Sequence, residues 1–203
     1  VLAGRVKGGL KTALREIVET HRPEVRLTPS QNLLLCGVAS EDIDKINSIL
    51  SANGVAVEET EQGTLLQRGA MACPALPTCG LSLAESERYL PEFLGVVEDV
   101  LAGEGLAEEQ IIVRMTGCPN GCARPYMAEL GIVGRSPGKY AVYLGGNADS
   151  TRLGRLYNQN VKVDEMKATL GPIVARFKNE REAGEGFGDF CARTIWPEQE
   201  VAE

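Results

Sequence analysis

Apolar residues recur every three or four positions in four stretches of the chain, and this spacing predicts amphipathic helices. The stretches cover residues 8–21, 40–53, 85–103 and 163–182. In the second stretch Ser40 is positioned to cap the helix and Gly54 to end it. The third helix is predicted to begin at Ser82 or Glu85, because the segment before it is rich in Pro and Gly.

Shorter runs of apolar and β-branched residues predict strands between these helices. "VRLTPSQNLLLCGV" predicts two strands interrupted at Pro29, and "IIVRMT" predicts a strand that leads directly into a cysteine pair. "ELGIVGRSPGKYAVYLGG" predicts a hairpin that turns at residues 136–138, because Pro and Gly supply the turn geometry. "EAGEGFGDF" is a Gly-rich segment near the end of the chain. Helices and strands are therefore mixed, and the residues before position 66 form a small α/β unit.

Composition and charge exclude several classes of protein. Of 203 residues, 43% are hydrophobic and 24% charged, as in an ordinary globular protein. No apolar run approaches the roughly 20 residues of a membrane helix. The first residues lack the apolar core of a signal peptide, so we expect a cytoplasmic protein. The net charge of -7 argues against a nucleic-acid partner.

Residues 110–162 depart from this acidic balance, because they carry seven basic and two acidic side chains. This basic stretch contains a cysteine pair. It indicates either a solvated face or a site for an anion.

Four of the six cysteines form two close pairs. Cys73 and Cys79 flank "PALPT", and Cys118 and Cys122 flank "PNG". Two such pairs indicate one four-cysteine metal site. Both lie in Pro- and Gly-rich loops, whose amides can point toward sulfur as a 4Fe-4S cluster requires. Zinc and buried structural thiols remain alternatives, although the longer spacing is less usual for zinc.

The residues around both pairs are similar to those of a known enzyme family. "MACPALPTCGLSLAESERYLP" and "RMTGCPNGCARPYMAELGIVG" resemble the cluster-binding half of siroheme-dependent sulfite reductase, and the similarity continues through "LGG" and "GEGFGDF". The fold that this resemblance implies is α+β. It consists of a ferredoxin-like half-domain, residues 1–66, followed by a mixed α/β cluster-binding domain of the nitrite/sulfite reductase type, residues 67–203.

The resemblance also implies a set of ligands. Cys73, Cys79, Cys118 and Cys122 would bind a 4Fe-4S cluster, and Cys122 would also be the axial ligand that joins the cluster to the siroheme iron. Siroheme carries several carboxylates, and Arg forms paired hydrogen bonds with carboxylate. The basic stretch around Cys122 supplies such donors.

A second set of residues is expected to contact siroheme. They are Arg114, Thr116, Asn120, Arg124, Arg152, Gln31 and Asn32. The last two lie in "RLTPSQNL", which resembles the family's loop near the siroheme edge; Arg26 in this loop is either a contact or a surface residue. Asn120 precedes Gly121, and this pair favours a tight turn beneath a flat macrocycle.

The reaction that the resemblance implies is the six-electron reduction of sulfite to sulfide. "MACPALPTC" and "FGDFC" are most similar to the ferredoxin-dependent enzymes of photosynthetic organisms, although "REAGEGFGDF" also resembles the NADPH-linked hemoprotein. We therefore expect ferredoxin rather than an NADPH flavoprotein subunit as electron donor, and the plastid stroma as location if the source is a plant or alga. Nitrite reductases resemble the chain less. A non-enzymatic module stabilised by zinc or a cluster is the competing class.

The family enzyme has two related halves, and the N-terminal half supplies most of the basic residues that bind substrate. That half is not found in this sequence. Three interpretations follow from the missing half. The chain is the C-terminal part of a longer enzyme, a partner chain supplies the missing half, or two copies of this chain pair. As a C-terminal part it is expected to be inactive alone, because the metal ligands are present and the substrate clamp is not.

Overall fold

The chain folds into two compact units, Val1–Thr64 and Leu65–Glu203, in a computed structural model that describes residues 1–58 and 63–202. Each unit combines helices with an antiparallel or mixed sheet, so the fold class is α+β as the resemblance implied. No helix in these described ranges is both long and apolar enough to cross a membrane.

Within its described residues, the first unit contains two α-helices and a two-stranded antiparallel sheet. Helix α1 covers Gly8–His21, strand β1 Glu24–Leu27, strand β2 Leu33–Cys36 and helix α2 Ser40–Ala52. All four elements were predicted. The helices pack together through buried apolar side chains, which lie on the faces that the sequence spacing indicated.

The start of α2 differs slightly from the prediction, whereas its end agrees with it. Ala39 occupies the cap position without a side-chain hydrogen bond, so Ser40 is the first helical residue and not the cap. Gly54 follows the helix with φ +71°, a conformation that glycine adopts without steric cost.

The second unit contains a mixed sheet and four helices within residues 63–202. Its elements are α3 Leu65–Gly69, β3 Met71–Ala72, α4 Leu90–Gly103, β4 Val113–Thr116, β5 Leu130–Ser136, β6 Lys139–Leu144, β7 Arg155–Lys162, α5 Met166–Glu180 and α6 Phe187–Ala202. The strand order is β3-β4-β5-β6-β7. Strands β3, β4 and β5 are parallel, and β6 pairs antiparallel with both β5 and β7. The β5–β6 hairpin turns at Pro137 and Gly138 as predicted.

Aromatic side chains fill the core of this unit. Phe177 of α5 contacts Phe187 and Phe190 of α6, with ring centroids 5.5 and 5.4 Å apart. Tyr89 stacks on Tyr140 of β6 at 5.5 Å. These contacts join α5 to α6, and they join Tyr89, the residue before α4, to the sheet.

Helix α4 begins at Leu90, later than the predicted Ser82 or Glu85. The backbone N–H groups of Leu83 and Ala84 donate to the carbonyl of Gly117 at 2.8 and 3.0 Å, so this stretch is held to the loop after β4 instead of turning into a helix. Pro91 lies in the first turn of the helix, where its missing N–H costs nothing.

Four other elements were not predicted. Helix α3 precedes the Pro- and Gly-rich segment and strand β3 lies inside it. Strand β7 is a mostly exposed edge strand with weak alternation, and α6 covers part of the Gly-rich segment near the end of the chain. The start of α6 is stabilised by a distant residue, because the buried carboxylate of Glu129 accepts a hydrogen bond from the N–H of Gly188 at 2.9 Å. A helix that is capped from another element leaves no local signal in the sequence.

Candidate cofactor site

The two cysteine pairs begin at the carboxyl ends of neighbouring parallel strands. Cys73 directly follows β3, and Cys118 follows β4 after Gly117. The N–H of Cys73 donates to the carbonyl of Met115 at 3.2 Å, which extends the strand pairing by one residue. The N–H of Gly117 donates to the Sγ atom of Cys73 at 3.3 Å. The loops that carry the two pairs are therefore joined at their first cysteines.

The second cysteine of each pair lies farther out in its loop. The N–H of Cys79 donates to the carbonyl of Ala75 at 2.7 Å, and the loop between them contains a cis peptide bond before Pro77. Cys122 is exposed and follows Gly121, whose φ is +69°. Asn120 is also exposed, and of this Asn-Gly pair only the glycine takes the left-handed conformation.

All six cysteines are free thiols. Among the described residues, no three His, Cys, Asp or Glu side chains are arranged to hold a metal ion. A single zinc ion needs four sulfurs around one point, with Zn–S distances of about 2.3 Å. A 4Fe-4S cluster binds each cysteine to a different iron, so its ligands do not have to converge on one point. Two cysteine loops that meet at one sheet edge fit this second requirement.

Arg114 and Thr116 lie two positions apart on β4 and therefore on the same face of the sheet. The Arg114 side chain is buried, and its Nη2 donates to the Oγ of Ser150 at 3.2 Å. Its Nε and Nη1 atoms are buried without a hydrogen-bond partner, as is the Oγ1 of Thr116. Burial, together with the charge of Arg124, lowers the pKa of Arg114. Unpaired buried donors of this kind fit an anionic group such as a carboxylate.

Arg124 lies close to this pair. Its backbone is in the left-handed conformation, with φ +55°, directly after the second cysteine loop. Its Nη2 lies 3.7 Å from the Sδ of Met71, the residue paired with Arg114 across the sheet. Arg114, Thr116 and Arg124 therefore lie close together. Their contact with siroheme carboxylates stays a prediction.

Arg152 has other partners. Its Nε donates to the carbonyl of Gly145 at 2.7 Å, and its Nη2 pairs with Asp189 at 2.6 Å and lies 3.3 Å from the carbonyl of Gly146. These bonds tie the loop after β6 to the start of α6. A contact of Arg152 with a cofactor stays a prediction.

The remaining predicted contacts lie in the first unit. Gln31 and Asn32 form the turn between β1 and β2, where Gln31 has φ +61° and the N–H of Asn32 donates to Thr28 Oγ1 at 3.1 Å. Arg26 is exposed and pairs with Glu24 at 2.8 Å, which is the surface role considered for it. Cofactor contacts of Gln31 and Asn32 stay predictions.

Sequence reasoning missed three residues whose hydrogen bonds hold the candidate site and the elements around it. Tyr126 donates its hydroxyl to the carbonyl of Pro119 at 2.8 Å, and its ring packs edge-on against Tyr143 with centroids 4.9 Å apart. Ser150 contacts Arg114, as described above. Glu129 accepts hydrogen bonds from Ile112 and Gly188 at 2.8 and 2.9 Å. Only Glu129 had a visible signal, because it is a lone carboxylate between apolar residues in a basic stretch.

The chain is similar to known proteins along almost its whole length. Residues 1–53 match the family model of the nitrite/sulfite reductase ferredoxin-like half domain. The sulfite reductase [NADPH] hemoprotein beta-component of Staphylococcus carnosus is 47% identical over 194 residues, which cover 94% of this chain and 34% of that protein. The protein of the same name from Myxococcus xanthus is 48% identical over 90% of this chain and 32% of its own length. The chain therefore spans about a third of the length of these relatives.

Solved structures agree with this similarity. The Mycobacterium tuberculosis NirA protein is 28% identical and superimposes with a TM-score of 0.74, over 96% of this chain and 37% of that protein. Dissimilatory sulfite reductase I is 11% identical with a TM-score of 0.63, over 98% of this chain and 66% of that protein, and this likeness concerns the fold alone.

The expectation that ferredoxin is the electron donor is wrong. The curated relatives are named as hemoprotein components of NADPH sulfite reductase, and their identity extends over 90% or more of this chain. Similarity of that length outweighs the few short motifs on which the preference for the ferredoxin-dependent type depended. With this fold and these relatives, the chain belongs to the nitrite/sulfite reductase family.

Proposed function

We propose that this chain is the cluster- and siroheme-binding part of a sulfite reductase that reduces sulfite to sulfide with six electrons. The observation that carries the proposal is the hydrogen bond from Gly117 to the Cys73 sulfur, which joins the two cysteine loops at one sheet edge. The names of the relatives support sulfite as the substrate.

The four paired cysteines are the proposed ligands of a 4Fe-4S cluster. Cys73 and Cys118 are buried at the strand ends, whereas Cys122 is exposed. Because its sulfur is exposed, Cys122 would hold siroheme as well as the cluster, as the resemblance implies. When bound, the two cofactors supply the electron transfer and the iron site for sulfite, and the protein supplies ligation, charge and position.

Arg114, Thr116 and Arg124 are the proposed donors to siroheme carboxylates. The unpaired Nε and Nη1 of Arg114 and the Oγ1 of Thr116 are costly to bury without a partner. A bound carboxylate would accept these hydrogen bonds and offset the repulsion between the two guanidinium groups. Asn120, Arg152, Gln31 and Asn32 are proposed as further contacts from the resemblance alone.

The proposed enzyme is larger than this chain. We assign residues 1–66 to the ferredoxin-like half-domain and residues 67–203 to the cofactor-binding domain. The division of the chain into units Val1–Thr64 and Leu65–Glu203 and the family match to residues 1–53 support this assignment. The relatives are about three times longer, which supports a further part that completes the substrate site. NADPH, acting through another component of the enzyme, is the proposed source of electrons.

The test is an anaerobic visible spectrum with iron and acid-labile sulfide analysis, on protein produced together with the enzymes of siroheme synthesis. We compare the wild type with Cys122→Ser and, as a matched control outside the two pairs, Cys36→Ser. We expect coupled cluster and siroheme absorption in the wild type and in the control, and its loss or perturbation in Cys122→Ser. Sulfite and nitrite are then compared as substrates in the full-length enzyme.

Two results would contradict the proposal. Colourless protein that binds zinc tightly would favour a zinc-stabilised module, and equal spectra for Cys122→Ser and the wild type would exclude Cys122 as a ligand. Protein that gains the cofactors only when the rest of the enzyme is present would support the proposal and show that this chain is insufficient alone.

A further inference from the structure

Arg135 lies beside the second cysteine loop, although nothing in the proposed cofactor pocket uses it. Strands β4 and β5 are parallel, and their register pairs Thr116 with Val133. One residue farther along, the backbones touch, since a Cβ atom on Gly134 would lie 2.3 Å from the carbonyl oxygen of Gly117. Cys118 directly follows Gly117, and Arg135 directly follows Gly134. Cys118 lies in the loop two residues after the end of β4, and Arg135 lies in β5, so each side chain starts one residue beyond this backbone contact.

The strand is irregular at this point. The pairing of β5 with β6 shifts between Gly134 and Ser136, so Arg135 lies at a β-bulge. Bulges change the direction of a side chain and are common next to functional sites. The Arg135 side chain is half-buried, and its Nε is buried without a hydrogen-bond partner. Its guanidinium is therefore partly removed from water without a hydrogen bond at Nε.

Arg135 is close enough to the second cysteine loop to interact electrostatically with Tyr126, which is bonded to that loop. Tyr126 donates its hydroxyl to Pro119, the residue after Cys118. The pKa of Tyr126 is raised mainly by burial, while Arg135 lowers it and Cys118 raises it. The same hydroxyl thus lies within electrostatic range of both the Arg135 guanidinium and the Cys118 sulfur.

We propose that Arg135 sets the reduction potential of the cluster by placing a positive charge beside the ligand Cys118. The inference rests on the proposed function, because it requires that Cys118 bind a 4Fe-4S cluster. Each electron that enters a thiolate-bound cluster adds a negative charge, and a nearby cation in a partly buried site stabilises the reduced form more than the oxidised form. Removal of this charge makes the cluster harder to reduce.

The test is a potentiometric titration of the holoenzyme, monitored by the spectrum of the cluster, for three variants. Arg135→Gln removes the charge, and Arg135→Lys keeps it. Lys167→Gln removes one positive charge from an exposed site on α5, where Lys167 pairs with Asp99 at 3.3 Å. We expect a more negative midpoint potential in Arg135→Gln, and values close to the wild type in the other two.

Iron and acid-labile sulfide are measured on every sample, so that failure of the two proposals can be distinguished. A full-length wild-type enzyme that contains no cluster would overturn the proposed function and this inference with it. Full cluster content with an unchanged potential in Arg135→Gln would overturn the role of Arg135 alone. An equal shift in Lys167→Gln would also overturn it, because the effect would then follow net charge and not position.

Discussion

Gly117 donates its backbone N–H to the sulfur of Cys73 over 3.3 Å, and this bond joins the two cysteine loops. The close packing around Gly117 depends on the absence of a side chain at this position. A Cβ atom there would lie 2.0 Å from the Oγ of Ser82 and 2.5 Å from the carbonyl oxygen of Ala84. A side chain at residue 117 would therefore clash both with the segment after the first cysteine pair and with Ala75 between those two cysteines, at 2.7 Å.

Gly117→Ala is therefore expected to destabilise the second unit. Overpacking of a tight core site costs about 1–3 kcal/mol, and the clash with backbone at Ala84 leaves little room for relaxation. Urea unfolding followed by circular dichroism measures the change. The control is Gly95→Ala on α4, where an added Cβ meets no atom within 4 Å, and helix propensity predicts a gain of about 0.5–1 kcal/mol. Equal stabilities of the two variants would contradict this account of Gly117.

Ser150 combines an unfavourable backbone conformation with a hydrogen bond to Arg114. Its φ is +62°, and its hydroxyl accepts from Arg114 Nη2 at 3.2 Å. Ser150→Ala loses the hydrogen bond and keeps the strain, whereas Ser150→Gly loses the bond and relieves the strain. We expect the glycine variant to be more stable than the alanine variant by about 1 kcal/mol in urea unfolding. The reverse order would show that the left-handed conformation is not present in solution.

Glu129 is expected to make stability depend on pH. Burial raises the pKa of its carboxyl more than the hydrogen bonds from Ile112 and Gly188 lower it. The folded state then holds the proton more tightly than the unfolded state. The contribution of Glu129 is therefore fully present below its unfolded pKa of about 4.3, and it is lost as pH rises through the higher folded pKa.

The measurement is the free energy of unfolding of the wild type minus that of Glu129→Gln, taken from about pH 4 to about pH 8. We expect this difference to fall as the pH rises, because Gln has no proton to release. A difference that grows with pH would mean that the two backbone hydrogen bonds outweigh the cost of burying the charge.

The free thiols are expected to differ strongly in reactivity in the metal-free chain. Cys122 is exposed, whereas Cys191 is fully buried, and burial raises the pKa of its thiol. Only the thiolate reacts with alkylating agents. Iodoacetamide labelling followed by mass spectrometry should modify Cys122 in the folded protein and Cys191 only after unfolding. Labelling of both cysteines at similar rates would contradict the packing of α6 against the core.

The elements of the first unit and the β5–β6 hairpin could be predicted from the sequence, because their signals are local. Helix α1 follows the spacing of its apolar residues, and the hairpin follows from Pro137 and Gly138. Helix α6 could not be predicted in this way. Its start is fixed by the Glu129 carboxylate, which belongs to a residue 59 positions earlier in the chain.

For the candidate site, the sequence by itself determined the two cysteine pairs, the basic stretch around the second pair and the resemblance to an enzyme family. Residue type and spacing are sufficient for such inferences. Only the tertiary structure decided which basic residues have free donors. Arg114 retains unpaired buried atoms, whereas Arg152 is bonded to Gly145 and Asp189. The reason is physical: the spacing of residues fixes which side chains share a face, but the partners of a buried charge come from segments that are distant in sequence and adjacent only after folding.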